Sequence, residues 1–321
     1  MPDAIAYQLE YSVEADVAPS FAWTWRTDIG NWSDPPAQFL LDGPFVTGSW
    51  GTTLFPGQAP LRWQIRDVRP GRSFVIDMPL DRALLSFEWT FDAVSEGRTR
   101  ITQRIVLTGD RATVYATDVQ ASFGSTIADG MTRIAEGITR ASEIRAATIG
   151  ELKHLDGPIE LVDYSPRWPA LFAEEAVRVR STLGDKVLRL EHVGSTAVPG
   201  LVAKPIIDMV LVVGDSADET AYSPRLEALG YILRIREPGW HQHRMFKGPD
   251  TDINLHVFSA ECPEVDRMLR FRDWLRGNAA DRELYARTKT ELAGKRWTYV
   301  QSYADAKTAV VAEIMQRAGG V

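Results

Sequence analysis

The chain has 321 residues, 45% of them hydrophobic and 25% charged, with a formal net charge of -7. That is the make-up of a globular protein long enough for two domains, and its acidic balance argues against non-specific attraction to nucleic acid or to an anionic membrane. One cysteine, Cys262, excludes an intramolecular disulfide and a cysteine zinc site and suits a reducing compartment. The N-terminal segment carries neither a basic n-region nor an apolar h-region, and no stretch has the apolar length of a membrane helix. The expectation is a cytoplasmic protein without nucleic-acid or membrane partners.

In chain order, the first half reads as β-rich. "AYQLEYSVEADV" alternates, and "SFAWTWRTDIGNW" after Pro19 reads as a short helical passage. "GSWGTTLF", "LRWQIRDV", "RSFVIDM", "LLSFEWTFDAV" and "TRITQRIVLTG" then follow as short Thr-, Val- and aromatic-rich runs punctuated by Gly or Pro. This pattern predicts an antiparallel meander. From Thr113 to Ala147 the period changes. Val119, Phe123, Ile127, Met131, Ile134, Ile138 and Ile144 fall on one face of a long helix, which Gly124, Gly130 and Gly137 interrupt. Trp23, Trp25, Trp50, Trp63 and Trp89 are expected mostly to pack a core.

This element order, with "FAWTWRTDIGNWSD" and "FEWTFDAVSEGRTRITQRI", resembles the START-like (SRPBCC, polyketide cyclase/dehydrase-like) superfamily over residues 3–147. The resemblance implies a helix-grip domain whose sheet and long helix enclose a pocket for an apolar small molecule.

Lysine first occurs at Lys153 and histidine at His154, and "TIGELKHLDGP" supplies glycine and proline punctuation. The shift predicts a join near 148–157, with domains at 1–150 and 151–321. In the second half, Ser165 and Pro166 read as the N-cap and first position of a helix whose apolar face includes Leu171, Val177 and Leu183, ended by Gly184. "VLRLEHVGSTAVPG" reads as a strand entering a Gly194-Ser195 bend. Ile206–Val213 then reads as a nearly continuous apolar strand, buried on both faces, with Asp208 as its one charge.

A lone carboxylate among aliphatic residues must be paired, hydrogen-bonded or bound to a cation. A structural pair with Lys204 or Arg244 is one explanation. The other is a phosphate site, in which Gly194 permits close backbone approach, Ser195 and Thr196 add hydroxyl and N–H donors, and Asp208 holds a divalent cation. Val193-Gly194-Ser195 followed by Asp208 resembles the nucleotidyltransferase signature. More narrowly, "HVGSTAVPGLVAKPIID", "YSPRWPALFAEE", "NLHVF", "FRDWLR" and "SYADAKTAVVAEI" resemble the GrpB-like (UPF0157) family over residues 155–321.

The resemblances together imply an α+β protein, a helix-grip antiparallel sheet domain followed by a nucleotidyltransferase-like mixed α/β domain. The second would bind a nucleotide or another phosphorylated small molecule. In a catalytic version performing nucleotidyl or phosphoryl transfer, Asp208 holds Mg²⁺, Gly194, Ser195 and Thr196 cradle phosphate, Lys204 and Arg244 neutralise charge, and His256 serves as ligand or base. Lys307 is a further candidate for an anionic ligand. The pattern departs at Val210, where catalytic members carry a second acid two residues after the first. On "TDINLHVF", Asp252, Asn254 and His256 share a face, with Asp252 the one acid. The thin acid set leaves a non-catalytic, regulatory binding protein as the alternative. His241 and His243 would share a face if extended, and Tyr285 with Lys289, like Tyr303 with Lys307, are spaced four apart on predicted helices, where solvated surface is the expectation.

Overall fold

The computed structural model describes residues 5–32, 36–151, 158–295, 297 and 300–319. It divides into two compact units, Met1–Ile144 and Arg145–Val321. Part of the predicted join, residues 152–157, lies outside the described residues. No helix among the described residues is long and apolar enough to cross a membrane.

The first unit is an α+β helix-grip fold. Strands β1 (Ile5–Ala15), β2 (Gln38–Leu41), β3 (Trp50–Leu54), β4 (Leu61–Arg69), β5 (Ser73–Leu80), β6 (Ala83–Ser95) and β7 (Arg98–Thr108) form one antiparallel sheet in the order β1-β7-β6-β5-β4-β3-β2. Period-two alternation sends Leu85, Trp89 and Phe91 of β6 inward, with Ile101, Ile105 and Leu107 of β7 beside them. Gly51 is required beside Trp63: a Cβ there would stand 2.1 Å from the indole.

Helix α1 (Pro19–Thr27) lays Trp23 edge-on against Phe74 and Phe91. The segment after β7 is not one helix. It breaks at residues 124–126 into α2 (Ala112–Phe123) and α3 (Ile127–Ala147), and α3 buries Ile127, Met131, Ala135, Ile138, Ala141 and Ile144 at the predicted spacing.

Trp63 and Trp89 are core residues as expected, 2% exposed, whereas Trp50 is 37% exposed. Phe74 stacks on Trp89, Trp32 stacks on Trp63, and the Arg26 guanidinium lies 4.3 and 4.2 Å from the Trp32 and Trp89 rings. A recess of about 470 Å³ between β1 and α3 is rimmed by Glu14, Asp16, Thr132, Glu136, Thr139 and Arg140.

The second unit is a mixed α/β fold. Helix α4 (Trp168–Leu183) starts two residues later than predicted, because residues 165–168 form a turn in which the Trp168 N–H donates to the Ser165 carbonyl. Ala176, Val179 and Leu183 are buried, while Val177 is 67% exposed. Five strands follow, β8 (Arg189–Val193), β9 (Ile207–Val213), β10 (Ile232–Glu237), β11 (His243–Lys247) and β12 (Ile253–Ser259), in the order β10-β11-β12-β9-β8. Helix α5 (Ser223–Ala228) lies between β9 and β10. Helices α6 (Pro263–Gly277), α7 (Ala279–Ala293), α8 (Val300–Asp305) and α9 (Thr308–Arg317) close the chain.

Strand β9 is central, parallel to β12 and antiparallel to β8. Its aliphatic run reads without interruption because both faces are covered. Met209, Leu211 and Val213 join Leu255, Val257 and Phe246 in a core with α4 and α5. Val210 and Val212 join Phe258 and, from α6, Val265 and Leu269. Asp208 sits at the N-terminal end of the α6-side row.

Candidate functional site

Cross-strand partners share a face, so register assigns the neighbours of Asp208. Val193 of β8 and Asn254 of β12 pair with it, and His256 lies one pleat further along the same face, opposite Val210. The Asn254 amide donates to Asp208 Oδ1 at 2.7 Å, and His256 Nε2 stands 3.9 Å from the same oxygen. The other oxygen faces the 194–195 bend. Gly194 adopts φ +70°, and a Cβ there would come within 2.4 Å of Asp208 Oδ2. Only a residue without a side chain lets strand end and bend approach this closely. Asp208 thus lies against the bend, its side chain remains 29% exposed, and among the described residues no arginine forms an ion pair with it.

Lysines complete the surroundings. Lys289 on α7 is 3% exposed, and its Nζ donates to Ser195 Oγ at 2.8 Å and to the Val202 carbonyl at 2.5 Å. Lys204 and Lys307 approach the Tyr303 ring, at 5.6 and 3.9 Å from its centroid. Tyr303 is 1% exposed, and its hydroxyl is buried without a hydrogen-bond partner among the described residues.

Electrostatics tie these groups together. Burial pushes the Lys289 ammonium down to about 7, aided by the charges of Lys307 and Lys204 and opposed by Asp208. Burial and Lys204 push Lys307 down to about 8 against Asp208 and Asp305. Lys204 is lowered by burial first and then by Lys247, again against Asp208. Burial pushes the Asp208 carboxyl up, but His256, Asn254 and Lys204 together outweigh it and hold it below the usual carboxylate range. Asp208 is the carboxylate that these three buried or half-buried lysines have in common, with Asp305 acting on Lys307 and Asp252 on Lys204 besides. Such a set is short of negative charge, and an anion with several oxygens supplies it.

Of the residues singled out in the sequence, Gly194, Ser195, Lys204, Asp208, His256 and Lys307 come together here. Two do not. Thr196 is 1% exposed, and its hydroxyl is committed to His192 Nε2 and to the Ile206 carbonyl, both at 3.0 Å, so it holds the bend from behind. Arg244 points to the opposite face because its register partner is Val257, not His256. It is 4% exposed and bonded to Glu219 Oε1 at 2.5 Å. Asp252 precedes β12 and is bound by Lys247 at 2.6 Å. Val210 is fully buried beneath α6, so the place of a second acid is packed with hydrocarbon.

Four residues of this neighbourhood were not legible as site residues. Lys289 and Tyr285, expected on solvated surface, are buried, and the repeated Tyr-x-x-x-Lys spacing in "YARTK" and "YADAK" was the available signal. The other two are His243 and Glu237. His241 and Gln242 both have φ +52°, so the chain turns at His241 instead of extending, and His243 alone enters β11. Its Nδ1 meets Glu237 Oε2 at 2.7 Å and its Nε2 meets His256 Nδ1 at 3.0 Å.

Among the described residues, no three His, Cys, Asp or Glu side chains gather as a metal-holding set. Asp208 offers one uncommitted oxygen in a field of three lysines. That donor set does not suit the Mg²⁺ ion expected from the sequence, which is bound through hard oxygen ligands.

Residues 158–317 match the family described as "GrpB protein". A UPF0157 protein of Halalkalibacterium halodurans, BH1888, is 64% identical over 176 residues, covering 55% of this chain and 90% of that protein. The chain belongs to the GrpB family. Among solved structures, GrpB from Enterococcus faecalis aligns at 32% identity over 50% of this chain and 96% of that one, with a TM-score of 0.45. A norcoclaurine synthase of Thalictrum flavum aligns at 11% identity over 44% of this chain and 99% of that one, with a TM-score of 0.37. The matched GrpB residues contain every member of the Asp208 site.

Proposed function

We propose that the GrpB unit binds a phosphorylated small molecule, a nucleotide being the favoured class, in the cleft between the 194–195 bend, Asp208 and the lysines of α7 and the C-terminal segment. The observation that carries this reading is the convergence of Lys289 on Ser195 and of Lys204 and Lys307 on Tyr303, next to the bend that Asp208 abuts, with Asp208 the carboxylate common to all three. Burying like charges costs free energy that a bound phosphate returns. Gly194 leaves the backbone open to close approach, and the Ser195 hydroxyl and the buried Tyr303 hydroxyl, which has no partner among the described residues, add donors. In the catalytic version the reaction is nucleotidyl or phosphoryl transfer, with Asp208 and His256 at the reacting end. The missing second acid at Val210 and the capture of Asp252 by Lys247 favour the rival version, a regulatory binding protein that retains the cleft without turnover. The single cysteine supports a cytoplasmic setting.

The test is a titration with inorganic phosphate and a panel of nucleoside mono-, di- and triphosphates, with and without Mg²⁺. Thermal melting and pyrophosphate release are both followed. Binding that raises the melting temperature and weakens at least tenfold in Lys289→Met supports the anion cleft. Turnover lost in Asp208→Ala selects the transferase, and binding without turnover selects the regulator. No response to any phosphate overturns the reading.

A further inference from the structure

Glu237, His243, His256 and Asp208 form a line across four strands, β10, β11, β12 and β9. The successive separations are 2.7 Å from Glu237 Oε2 to His243 Nδ1, 3.0 Å from His243 Nε2 to His256 Nδ1, and 3.9 Å from His256 Nε2 to Asp208 Oδ1. The two imidazole planes are inclined by 19°, and the His243 Nε2 to His256 Nδ1 contact is at hydrogen-bond distance. Phe258 stacks on His243 at 4.8 Å and Trp240 abuts it edge-on at 5.2 Å, which fixes the ring. The His243 side chain is 4% exposed, whereas those of Glu237 and His256 are 29% and 23% exposed.

The proton positions follow from donor and acceptor chemistry. An ionised carboxylate only accepts, so His243 Nδ1 carries the hydrogen that it gives to Glu237. Burial, followed by the charges of His256 and Arg244, lowers the His243 pKa against the opposing pull of Glu237. A neutral His243 then has a bare Nε2, which accepts from His256 Nδ1–H. A neutral His256 with its hydrogen on Nδ1 has a bare Nε2, on the side of the ring towards Asp208. Asp208 at 3.9 Å is beyond hydrogen-bond reach, so the nitrogen is not consumed by it.

We propose that Glu237 and His243 are positioning residues that fix His256 as the Nδ1–H tautomer, making its Nε2 the proton acceptor for a hydroxyl-bearing co-substrate in the Asp208 cleft. The inference rests on the phosphate reading for what that hydroxyl attacks, but not for the relay itself. In the step, the O–H bond of the acceptor breaks and its proton goes to His256 Nε2. The freed oxygen pair forms the new bond to phosphorus. The bond from phosphorus to the leaving phosphate oxygen breaks, and that oxygen departs with the electron pair. The resulting imidazolium lies beside the ionised Asp208, which stabilises it in the manner of a carboxylate behind a catalytic histidine. This assigns Asp208 an electrostatic task that needs no second acid.

The test reads the tautomer directly, in the ligand-free full chain at pH 8. Two-bond ¹H–¹⁵N correlation spectra of ¹⁵N-histidine protein give the protonated nitrogen of each ring. Neutral imidazole in water prefers Nε2–H, so an Nδ1–H pattern at both His243 and His256 supports the relay, and an Nε2–H pattern at His256 overturns it. Glu237→Ala, and separately His243→Phe, which keeps the ring packing, are expected to return His256 to Nε2–H. Unchanged His256 spectra in both would overturn the positioning role. Carbethoxylation by diethyl pyrocarbonate, read on the His256 peptide by mass spectrometry, is expected to slow at least fivefold in the same variants, and an equal rate counts against the proposal. These readouts involve no phosphate, so they fail or succeed separately from the anion titration.

Discussion

The two faces of the five-stranded sheet use the same strands to opposite ends. On the α4–α5 side, Met209, Leu211, Leu255, Val257 and Phe246 close a dry core, and the buried Arg244 is bonded to Glu219. On the α6–α7 side the row begins with Val210, Val212 and Phe258 and then changes to Asp208, Asn254 and His256 under three lysines. The first face satisfies its buried charge within the fold: Arg244 shares Glu219 with the more exposed Arg236 and also donates to the Gln242 and His243 carbonyls. The second leaves lysine charge in excess and a tyrosine hydroxyl unmatched. Polar groups left short of partners in a buried cleft are the signature of a site completed from outside.

If that contrast is right, substitutions on the two faces separate stability from binding. The largest loss is expected from Leu211→Ala, which empties a fully buried position of the dry face and should cost about 2–5 kcal/mol in urea unfolding. Phosphate affinity of the folded fraction should be unchanged; a parallel loss of affinity would break the distinction. Gly194→Ala comes next. Its φ of +70° with ψ of -170° belongs to a region nearly confined to glycine, with a cost of about 1–3 kcal/mol, and the new methyl would displace the Asp208 carboxylate. Here binding should be lost along with part of the stability, and intact binding would remove the bend from the site.

A smaller effect concerns pH. Lys289, near 7 in the folded chain against an ordinary 10.5, binds fewer protons folded than unfolded between those values, so its penalty is full below about pH 7 and is relieved as pH rises. Stability of the ligand-free protein should therefore gain from this group between pH 7 and 10, whereas Asp208, lowered in the fold, contributes above its unfolded pKa and loses its contribution in acid. Phosphate restores the lysine charges, so binding at pH 8 should take up protons, and calorimetric enthalpies in buffers of different ionisation enthalpy should differ accordingly. Equal enthalpies would mean that Lys289 and Lys307 are already charged. The smallest effect is expected at the exposed pair Lys247–Asp252: Asp252→Ala should shift stability by less than about 1 kcal/mol and leave phosphate affinity as it was. A large loss of affinity would restore Asp252 to the acid set.

Much of this was legible in the chain. Period-two runs foretold the meander of the first unit, and the uninterrupted Ile206–Val213 run foretold a strand covered on both faces, because burial and hydrogen bonding act on each residue locally. Asp208 and Gly194 stood out for the same reason: a charge in an aliphatic strand and a glycine before a turn are anomalies that sequence displays. The Thr113–Ala147 segment was misread as one helix because its apolar spacing continues through the break at 124–126. Arg244 was misplaced because a strand's alternation gives two faces without saying which one meets Asp208, and only the pairing of Met245, not Arg244, with His256 decides that. Lys289 reads as surface in the sequence because four-residue spacing on a helix fits a solvated face as well as a buried one.

Composition and pattern by themselves determined the types of the main elements and the oddity of a carboxylate entering β9. What tertiary structure alone decided is which distant groups reach that carboxylate. Lys289 lies 94 residues from the Ser195 hydroxyl it touches, and the histidine line joins residues from four strands. Local sequence encodes backbone propensity and burial, but register, strand order and helix docking set the few ångströms over which charges interact, and those come from packing the chain as a whole.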